Sequence, residues 1–300
     1  MTLTRPFALI IRGPRELIFA LSDQLGFDAH MQALAVSVFE DGPKNWLVQA
    51  LFEAKQDALE CLSRLDVAKL ETSITQLPET DWVAKTQAGL PPVTAGRFFI
   101  HGAHDRDKIP MGTPYPIEIN AGMAFGTGHH GTTKGCLLAL ESLIWQPPSS
   151  VKKPLKNYPK NVLDLGCGSG VLAIAAAKAV NIDVVASDID PDAVSVTLEN
   201  AELNGVKGRI TAITADGIPP HPKTEEGYNL IFANILAGPL IGLAPAIARV
   251  TQDQGHVILS GLLDEQANKV LTAYQPMGYE LVRQSSHEGW ATLTIKKTGV

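Results

Sequence analysis

Three glycines at alternate positions form the clearest functional pattern in this sequence. They lie in Asp164-Leu165-Gly166-Cys167-Gly168-Ser169-Gly170, between an apolar run and an alanine-rich segment, an order that predicts strand, turn and helix. Glycines let the backbone turn tightly and approach a ligand, and amides at the start of the helix point toward it. A dinucleotide-binding loop needs its third glycine where Val171 stands, so that class is excluded. We therefore expect Gly166 and Gly168 to contact a different nucleoside cofactor rather than to form a plain structural turn.

Carboxylates follow the next two predicted strands. Asp188 ends the second strand, 22 residues after Gly166, where a carboxylate can accept hydrogen bonds from both hydroxyls of a ribose. Asp190 stands two residues later and, followed by Pro191, could instead begin the next helix as its N-cap. Asp216 follows the third strand and could accept a hydrogen bond from the adenine amino group or stabilise a turn. We assign the ribose to Asp188 and keep both alternatives open for Asp216.

An amide follows the fourth predicted strand. Asn234 begins the segment Asn-Ile-Leu-Ala-Gly-Pro-Leu, so it should lie at the same edge of the sheet as Asp188. Enzymes that methylate flat bases or amides carry Asn-Pro-Pro-Tyr at this place, and the aromatic ring stacks on the target. No aromatic residue stands there in this chain, so a flexible aliphatic amine fits better than a flat base.

Hydroxyl groups and two histidines precede the glycine loop. Thr132 and Thr133 follow Phe125-Gly126-Thr127-Gly128-His129-His130 and stand before a predicted helix. Their hydroxyls could cap that helix or contact the cofactor. His129 and His130 point in different directions and make a poor metal pair, although one of them could form a polar wall or act as a base.

Metal ligands are not grouped into a complete site. His101 and His104 have a spacing that could hold a metal on a loop, but two histidines are too few. The three cysteines are scattered and show no Cys-x-x-Cys spacing, which argues against a zinc site and against a disulfide framework: Cys61, Cys136 and Cys167. We therefore expect no metal cofactor.

The elements that must position these residues divide the chain into three segments. Residues 6–78 alternate strand-like and amphipathic runs in the order βαββαβ, which folds most simply as a ferredoxin-like sandwich, and we place this domain at 1–79. Proline and glycine punctuate 80–110, the predicted linker. From 111 to 300 strands and helices alternate, as in an α/β domain with helices on both faces of a parallel sheet. Two final β-rich stretches with no helix between them predict a hairpin with one antiparallel late strand.

Composition limits the class of protein. The chain has 300 residues, 45% of them hydrophobic and 19% charged, which is an ordinary globular composition with enough length for two domains. No apolar run could span a bilayer and no signal-peptide pattern opens the chain, so we expect a cytoplasmic protein without membrane contact. A net charge of −6 argues against a protein that wraps nucleic acid. The first 85 residues carry 12 acidic and 8 basic side chains, which suits a basic protein partner or simple solubility.

Taken together, the motifs resemble those of the ribosomal protein L11 methyltransferase (PrmA) family of class I S-adenosylmethionine-dependent methyltransferases. The loop at 125–133 and the segment at 234–240 are specific to it, whereas the glycine loop and Asp188-Ile189-Asp190-Pro191 occur in many methyltransferases. The resemblance implies an α/β fold: a Rossmann-like doubly wound sheet with an antiparallel late strand, preceded by a small ferredoxin-like α+β domain that binds the ribosomal protein. It also implies S-adenosyl-L-methionine as cofactor, with trimethylated lysine ε-amines and a trimethylated N-terminal α-amine as products.

The resemblance assigns roles to individual residues. It places five of them at the cofactor: Thr133, Gly166, Gly168, Asp188 and Asn234. Asn234 would also face the substrate amine and act in catalysis. The chain departs from the family in two places. His129 and Gly131 stand where many relatives have Thr and Pro, and the tract at 146–160, rich in proline and lysine and predicted as a solvated loop, is longer.

Two other functions stay open at this point. One is an RNA or glutamine N-methyltransferase, which the net acidity and the missing Asn-Pro-Pro-Tyr argue against. The other is a non-catalytic module that binds S-adenosylmethionine, which the intact Asn234 and the complete glycine loop argue against. We expect a monomer that binds no nucleic acid directly and takes ribosomal protein L11 as its protein partner.

Overall fold

The computed structural model describes residues 7–27, 31, 33, 35–42, 45–67, 70–76, 92–119, 130–145, 159–221 and 225–299. Backbone contacts divide the chain into two compact units, with the division between residues 82 and 83. Across the described ranges, no helix combines the length and the apolar character that crossing a membrane requires.

The first unit is a four-stranded antiparallel sheet with two helices. Its elements are β1 (Phe7–Pro14), α1 (Arg15–Phe27), β2 (Ala35–Glu40), β3 (Asn45–Phe52), α2 (Lys55–Ser63) and β4 (Glu71–Gln76). The strands lie in the order β2-β3-β1-β4, so β1 and β3 form the centre of the sheet. Its fully buried side chains include Leu9, Ile11 and Val48 of these central strands and Ile18 of α1. The element order is that of the predicted ferredoxin-like sandwich.

Three short strands and a helix open the second unit. They are β5 (Val93–Ala95), β6 (Phe98–His101), β7 (Tyr115–Glu118) and α3 (His130–Ile144), and the strands form a separate sheet in chain order. The sequence predicts a linker over 80–110, but residues 92–110 belong to this sheet and a short helical turn, while 80–91 lie outside the described residues. The physical reason is that Gly96, at φ 58°, forms a tight β-hairpin turn and Phe98 is buried. Glycine here marks a hairpin instead of a linker.

Seven strands form the main sheet, with helices on both faces. The elements are β8 (Val162–Leu165), α4 (Val171–Val180), β9 (Val184–Asp188), α5 (Pro191–Leu203), β10 (Ile210–Thr214), β11 (Tyr228–Asn234), α6 (Ala237–Val250), β12 (Thr251–Leu263), α7 (Ala267–Tyr274), β13 (Tyr279–His287) and β14 (Trp290–Lys297). The sheet order is β10-β9-β8-β11-β12-β14-β13. Neighbours from β10 to β12 are parallel, and β14 is antiparallel to both of its neighbours. The predicted doubly wound α/β sheet with an antiparallel late strand is confirmed.

Side chains of the central parallel strands alternate between two separate cores. Even-numbered residues, such as Val162, Val184 and Phe232, pack in the core that includes α3 and α4. Odd-numbered residues, such as Leu163 and Ile231, pack in the core that includes α6 and α7. Parallel strands covered on both faces are apolar along their length, so polar side chains on them concentrate where the strands end. The carboxyl edge of this sheet is therefore the place to look for a site.

Candidate functional site at the carboxyl edge of the main sheet

The glycine loop joins β8 to α4 through three residues with positive φ. Gly166, Gly168 and Gly170 have φ values of 71°, 53° and 79°, which residues with a Cβ adopt only at a cost. The amide of Gly166 donates to the carbonyl of Ser187 at 2.8 Å, which fixes the loop to the end of β9. A Cβ at Gly166 would overlap with Cγ2 of Ile235. Glycine is thus favoured both by the backbone conformation and by the close approach of Ile235, the residue that follows β11.

Two side chains of α5 hold the glycine loop in place through hydrogen bonds. Thr197 donates to the carbonyl of Gly168 at 2.9 Å, and Asn200 donates to the carbonyl of Ser169 at 2.9 Å; both side chains are buried. These bonds direct the two loop carbonyls toward the interior of the protein. Neither residue was predicted from the sequence, although two polar residues three positions apart share one face of a helix. Their spacing on the helix face that also carries the buried Ala193 and Ala201 is the signal that could have found them.

Asp164 caps α4 from within the sheet. Its Oδ2 accepts a hydrogen bond from the amide of Ala173, the third residue of α4, at 2.9 Å. Gly170 at the N-cap has no side chain, so this carboxylate satisfies an amide that would otherwise lack a partner. Burial raises the pKa of Asp164 to about 7, the bond from Ala173 opposes the rise, and the charge of nearby Asp188 adds to it. Sequence reasoning gave this residue no role of its own.

Asp188 and Gly168, two of the residues predicted to contact a cofactor, are hydrogen-bonded to each other. The Oδ2 of Asp188 accepts from the amide of Gly168 at 2.8 Å, and its Oδ1 accepts from the amide of Asp190 at 3.1 Å. The carboxylate is half-buried, and both oxygens keep lone pairs for further donors. Asp190 itself caps α5, because its Oδ1 accepts from the amide of Asp192 at 2.9 Å and Pro191 follows it. The geometry therefore favours Asp188 over Asp190 for contact with a ribose.

Asn234 is the last residue of β11 and is half-buried. The register pairs Phe232 with Asp164, so Asn234 and Asp188 lie on the same face of the sheet as Asp164. Strand β8 and its glycine loop lie between the two strand ends. On the other side, Asn234 is paired with Ser260 of β12. The structure thus brings the amide, the loop and the ribose candidate to one edge and one face.

Thr133 lies in the first turn of α3, where Thr132 and Thr133 are both buried. A Cβ at Gly131 would come 2.6 Å from the carbonyl of His287 and 3.1 Å from the ring of Trp290. The first turn of α3 is therefore pressed against the tip of the β13–β14 hairpin, which is at the carboxyl edge because β14 runs antiparallel. The predicted loop at 125–129, including His129, and the side chain of His130 lie outside the described residues.

The adenine candidate and its surroundings are exposed. Asp216 follows β10 and is exposed, and the amide of its neighbour Ala215 donates to the carbonyl of Asp188 at 2.8 Å. Ile189, next to Asp188, is 67% exposed. An apolar side chain this exposed, next to a carboxylate held in one orientation, can pack against the face of a flat ring. The sequence analysis did not single out Ile189, and the role of Asp216 stays a prediction.

Of the side chains considered as metal ligands, His101, His104 and the three cysteines are buried or contact other protein groups. His101 is buried with its Nδ1 2.9 Å from the carbonyl of Gly102, and His104 lies 3.3 Å from the carboxylate of Asp105. Within the described parts of the chain, no three His, Cys, Asp or Glu side chains are placed to share a metal ion. All three cysteines are buried: Cys61, Cys136 and Cys167. Most of the tract at 146–160 lies outside the described residues.

Comparison with known proteins is consistent with this geometry. Residues 25–298 match the model of a family described as ribosomal protein L11 methyltransferase (PrmA). A ribosomal protein L11 methyltransferase of Brucella suis is 46% identical over 246 residues, which covers 81% of this chain and 82% of that relative. One from Mesorhizobium japonicum is 49% identical over 222 residues, covering 73% and 72%. The crystal structure of a ribosomal protein L11 methylase from Lactobacillus delbrueckii subsp. bulgaricus superposes with a TM-score of 0.56 at 26% identity, covering 69% of this chain and 99% of that one.

Proposed function

The chain belongs to the ribosomal protein L11 methyltransferase family, and we propose that it transfers methyl groups from S-adenosylmethionine to lysine ε-amines and the N-terminal α-amine of ribosomal protein L11. The observation that supports this best is the arrangement at the carboxyl edge. There an oriented carboxylate, Asp188, and an amide without an aromatic platform, Asn234, share one face of the sheet on either side of the glycine loop.

The residues at this edge fit S-adenosylmethionine, which when bound supplies a methyl group on a positively charged sulfur. Asp188 accepts the ribose hydroxyls, because its two oxygens are already oriented by backbone amides and keep free lone pairs. Gly166 and Gly168 let the loop backbone approach the ligand without a Cβ in the way. Thr133 adds a hydroxyl from the first turn of α3. The site roles of these residues are our proposal.

Asn234 orients the amine that attacks. A free lysine has a pKa of about 10.4, so near pH 7 only about one in a thousand is neutral and able to attack. Apolar surroundings disfavour the ammonium form, so the amine loses its proton to water as it enters the site. An amide is not a base, so Asn234 does not take this proton. Its side-chain oxygen accepts an N–H of the neutral amine, which leaves the nitrogen lone pair directed away from Asn234, and most of the rate gain then comes from positioning.

The catalytic role of Asn234 is tested by replacing it with alanine. We expect Asn234→Ala to lower kcat for methyl transfer to purified ribosomal protein L11 by about 100-fold, the typical effect of removing one orienting hydrogen bond from a reacting centre. Asn268→Ala, an exposed asparagine on α7, is the matched control and should keep the activity of the unmodified enzyme. Unchanged turnover of Asn234→Ala would rule out this role.

The acceptor amines are tested by mass spectrometry of ribosomal protein L11 after reaction. We expect added methyl groups on lysine side chains and on the N-terminal amine, with up to three on each. An L11 variant with arginine at every lysine and an acetylated N-terminus should accept none, because it offers no amine able to attack. Methyl groups on that variant, or label recovered in ribosomal RNA, would contradict the proposal.

We further propose that the first unit recognises ribosomal protein L11 and that the enzyme acts as a cytoplasmic monomer without direct nucleic-acid contacts. The support is the excess of acidic side chains in the first 85 residues, which complements a basic partner. Chemical cross-linking of the two proteins should join L11 to residues 7–76. Cross-links confined to the second unit would contradict this assignment, and light scattering tests the monomer.

A further inference from the structure

Helix α3 has two glycines on the face that meets the β13–β14 hairpin. Gly131 and Gly135 are four residues apart, so they lie one above the other on the helix. A Cβ at Gly135 would overlap with Oγ1 of Thr292 and come 3.0 Å from its Cβ. Glycine is a poor helix former, so its use twice in the first two turns needs a reason. The reason is a groove in which Gly135 admits Thr292, and Gly131 admits the carbonyl of His287 and the ring of Trp290, closer than a Cβ would allow.

Thr292 connects this groove to the strand beside Asn234. Its hydroxyl lies 3.1 Å from that of Ser260, and Ser260 donates its own proton to the carbonyl of Ala291 at 3.0 Å. Thr292 must therefore be the donor to Ser260. Both side chains are buried, with exposed fractions of 2% and 0%. Ser260 is the register partner of Asn234, so a continuous chain of contacts runs from α3 to the strand end that carries Asn234.

The opposite end of α3 is attached elsewhere. Glu141, near the C-terminus of the helix, accepts a hydrogen bond from the amide of Arg97 at 3.0 Å, in the turn between β5 and β6. Leu137 and Leu140 pack the middle of the helix in the core of the main sheet, and the glycines of its first two turns meet the β13–β14 hairpin. The contact of Gly135 with Thr292, together with that of Gly131 with the hairpin tip, therefore sets the height above the sheet of the first turn, which carries Thr133.

We propose that Thr292, seated against Gly135 of α3, is a positioning residue that sets the separation of Thr133 and Asn234. The inference rests on the proposed function, in which these two residues contact cofactor and amine. Methyl transfer needs its groups in line, and a displacement of about 1 Å in an active site can cost about 100-fold in rate. Binding of the cofactor alone is less sensitive, because Thr133 supplies one of its proposed contacts, while those of Asp188 and the glycine loop lie outside the groove.

The test is a pair of substitutions that adds and then removes volume. Gly135→Ala should lower kcat by about 10- to 100-fold, while the cofactor Kd changes by less than about threefold. Adding Thr292→Ala removes the overlapping hydroxyl and should restore most of kcat. Gly242→Ala is the matched control, since a Cβ at this exposed helical glycine of α6 meets no atom within 4 Å. A merely structural role predicts lower thermal stability for Gly135→Ala with an unchanged kcat per folded molecule, and that result would overturn the inference.

Two further measurements keep the outcome decisive. If Gly135→Ala does not fold, Thr292→Ala alone leaves the space beside Gly135 empty, and it should lower kcat with the cofactor Kd changed by less than about threefold; full activity overturns the inference. Crystal structures of the unmodified enzyme and of Gly135→Ala, or of Thr292→Ala in its place, should differ in the Thr133–Asn234 Cα separation. An equal separation in the two structures overturns the inference. Failure of the unmodified enzyme to transfer a methyl group to L11 would instead contradict only the proposed function, and the structural comparison could still be made.

Discussion

The buried carboxyl of Asp164 should make the stability of the second unit depend on pH. In the folded chain this side chain is 1% exposed, has the amide of Ala173 as a donor, and lies near the negative charge of Asp188. Burial disfavours the charged form and raises its pKa from 3.8 to about 7. Replacing it with asparagine keeps the shape and an oxygen that accepts from Ala173, but removes the titration.

The sign and size of the effect follow from the two pKa values. Between about pH 4 and pH 7 the unfolded chain has lost this proton while the folded chain still holds it. The folded state binds more protons in that window, so the free energy of unfolding falls as the pH rises. The stabilising contribution is complete below about pH 4 and is lost above about pH 7. Each pKa unit corresponds to about 1.4 kcal/mol, which makes about 4 kcal/mol in all and about 2.5 kcal/mol between pH 5 and pH 8.

The assay is urea unfolding of the cofactor-free enzyme and of Asp164→Asn at pH 5 and pH 8, followed by tryptophan fluorescence and circular dichroism. Other carboxyls titrate in both proteins: the pKa of Glu118, for example, is lowered by its hydrogen bonds from Arg106, which acts in the opposite direction. These contributions cancel in the difference between the two proteins. We expect the unmodified enzyme to lose about 2.5 kcal/mol more than Asp164→Asn between pH 5 and pH 8. Equal losses would refute the argument from burial.

Three further substitutions test other contacts. Asp188→Ala should raise the Kd for S-adenosylmethionine about 100-fold, since two hydrogen bonds to a charged acceptor are worth about 3 kcal/mol together; calorimetry showing less than a threefold change would contradict the ribose assignment. Asn204→Ala should lower the free energy of unfolding by about 2 kcal/mol, because Asn204 bonds to both the amide and the carbonyl of Glu118; unchanged urea unfolding would show that these bonds contribute nothing. Gly170→Ala should cost at least about 1 kcal/mol in thermal unfolding, since its φ is 79° and the new Cβ would lie 2.8 Å from Thr197; a neutral result would mean that the loop relaxes.

Much of the fold was predictable from local patterns. Alternation of apolar strands and helices indicates the parallel sheet, and the two late strands without a helix between them indicate the hairpin that makes β14 antiparallel. The range at 92–110 was mispredicted as a linker because glycine has the same local signature in a linker and in a hairpin turn. What distinguishes the two is whether neighbours such as Phe98 find a core, which is a property of the folded unit.

The sequence by itself determined which functional side chains are present and at which edge of the sheet they lie. Parallel strands end at one edge, so Asp188 and Asn234, each at the end of its strand, had to lie there. Only the tertiary structure decided the partners, because they come from segments far apart in the chain. Thr197 lies 29 residues from Gly168, whose carbonyl it contacts, and Thr292 lies 157 residues from Gly135. Such contacts depend on how closely helices and strands approach, and spacing along the chain carries no record of that distance.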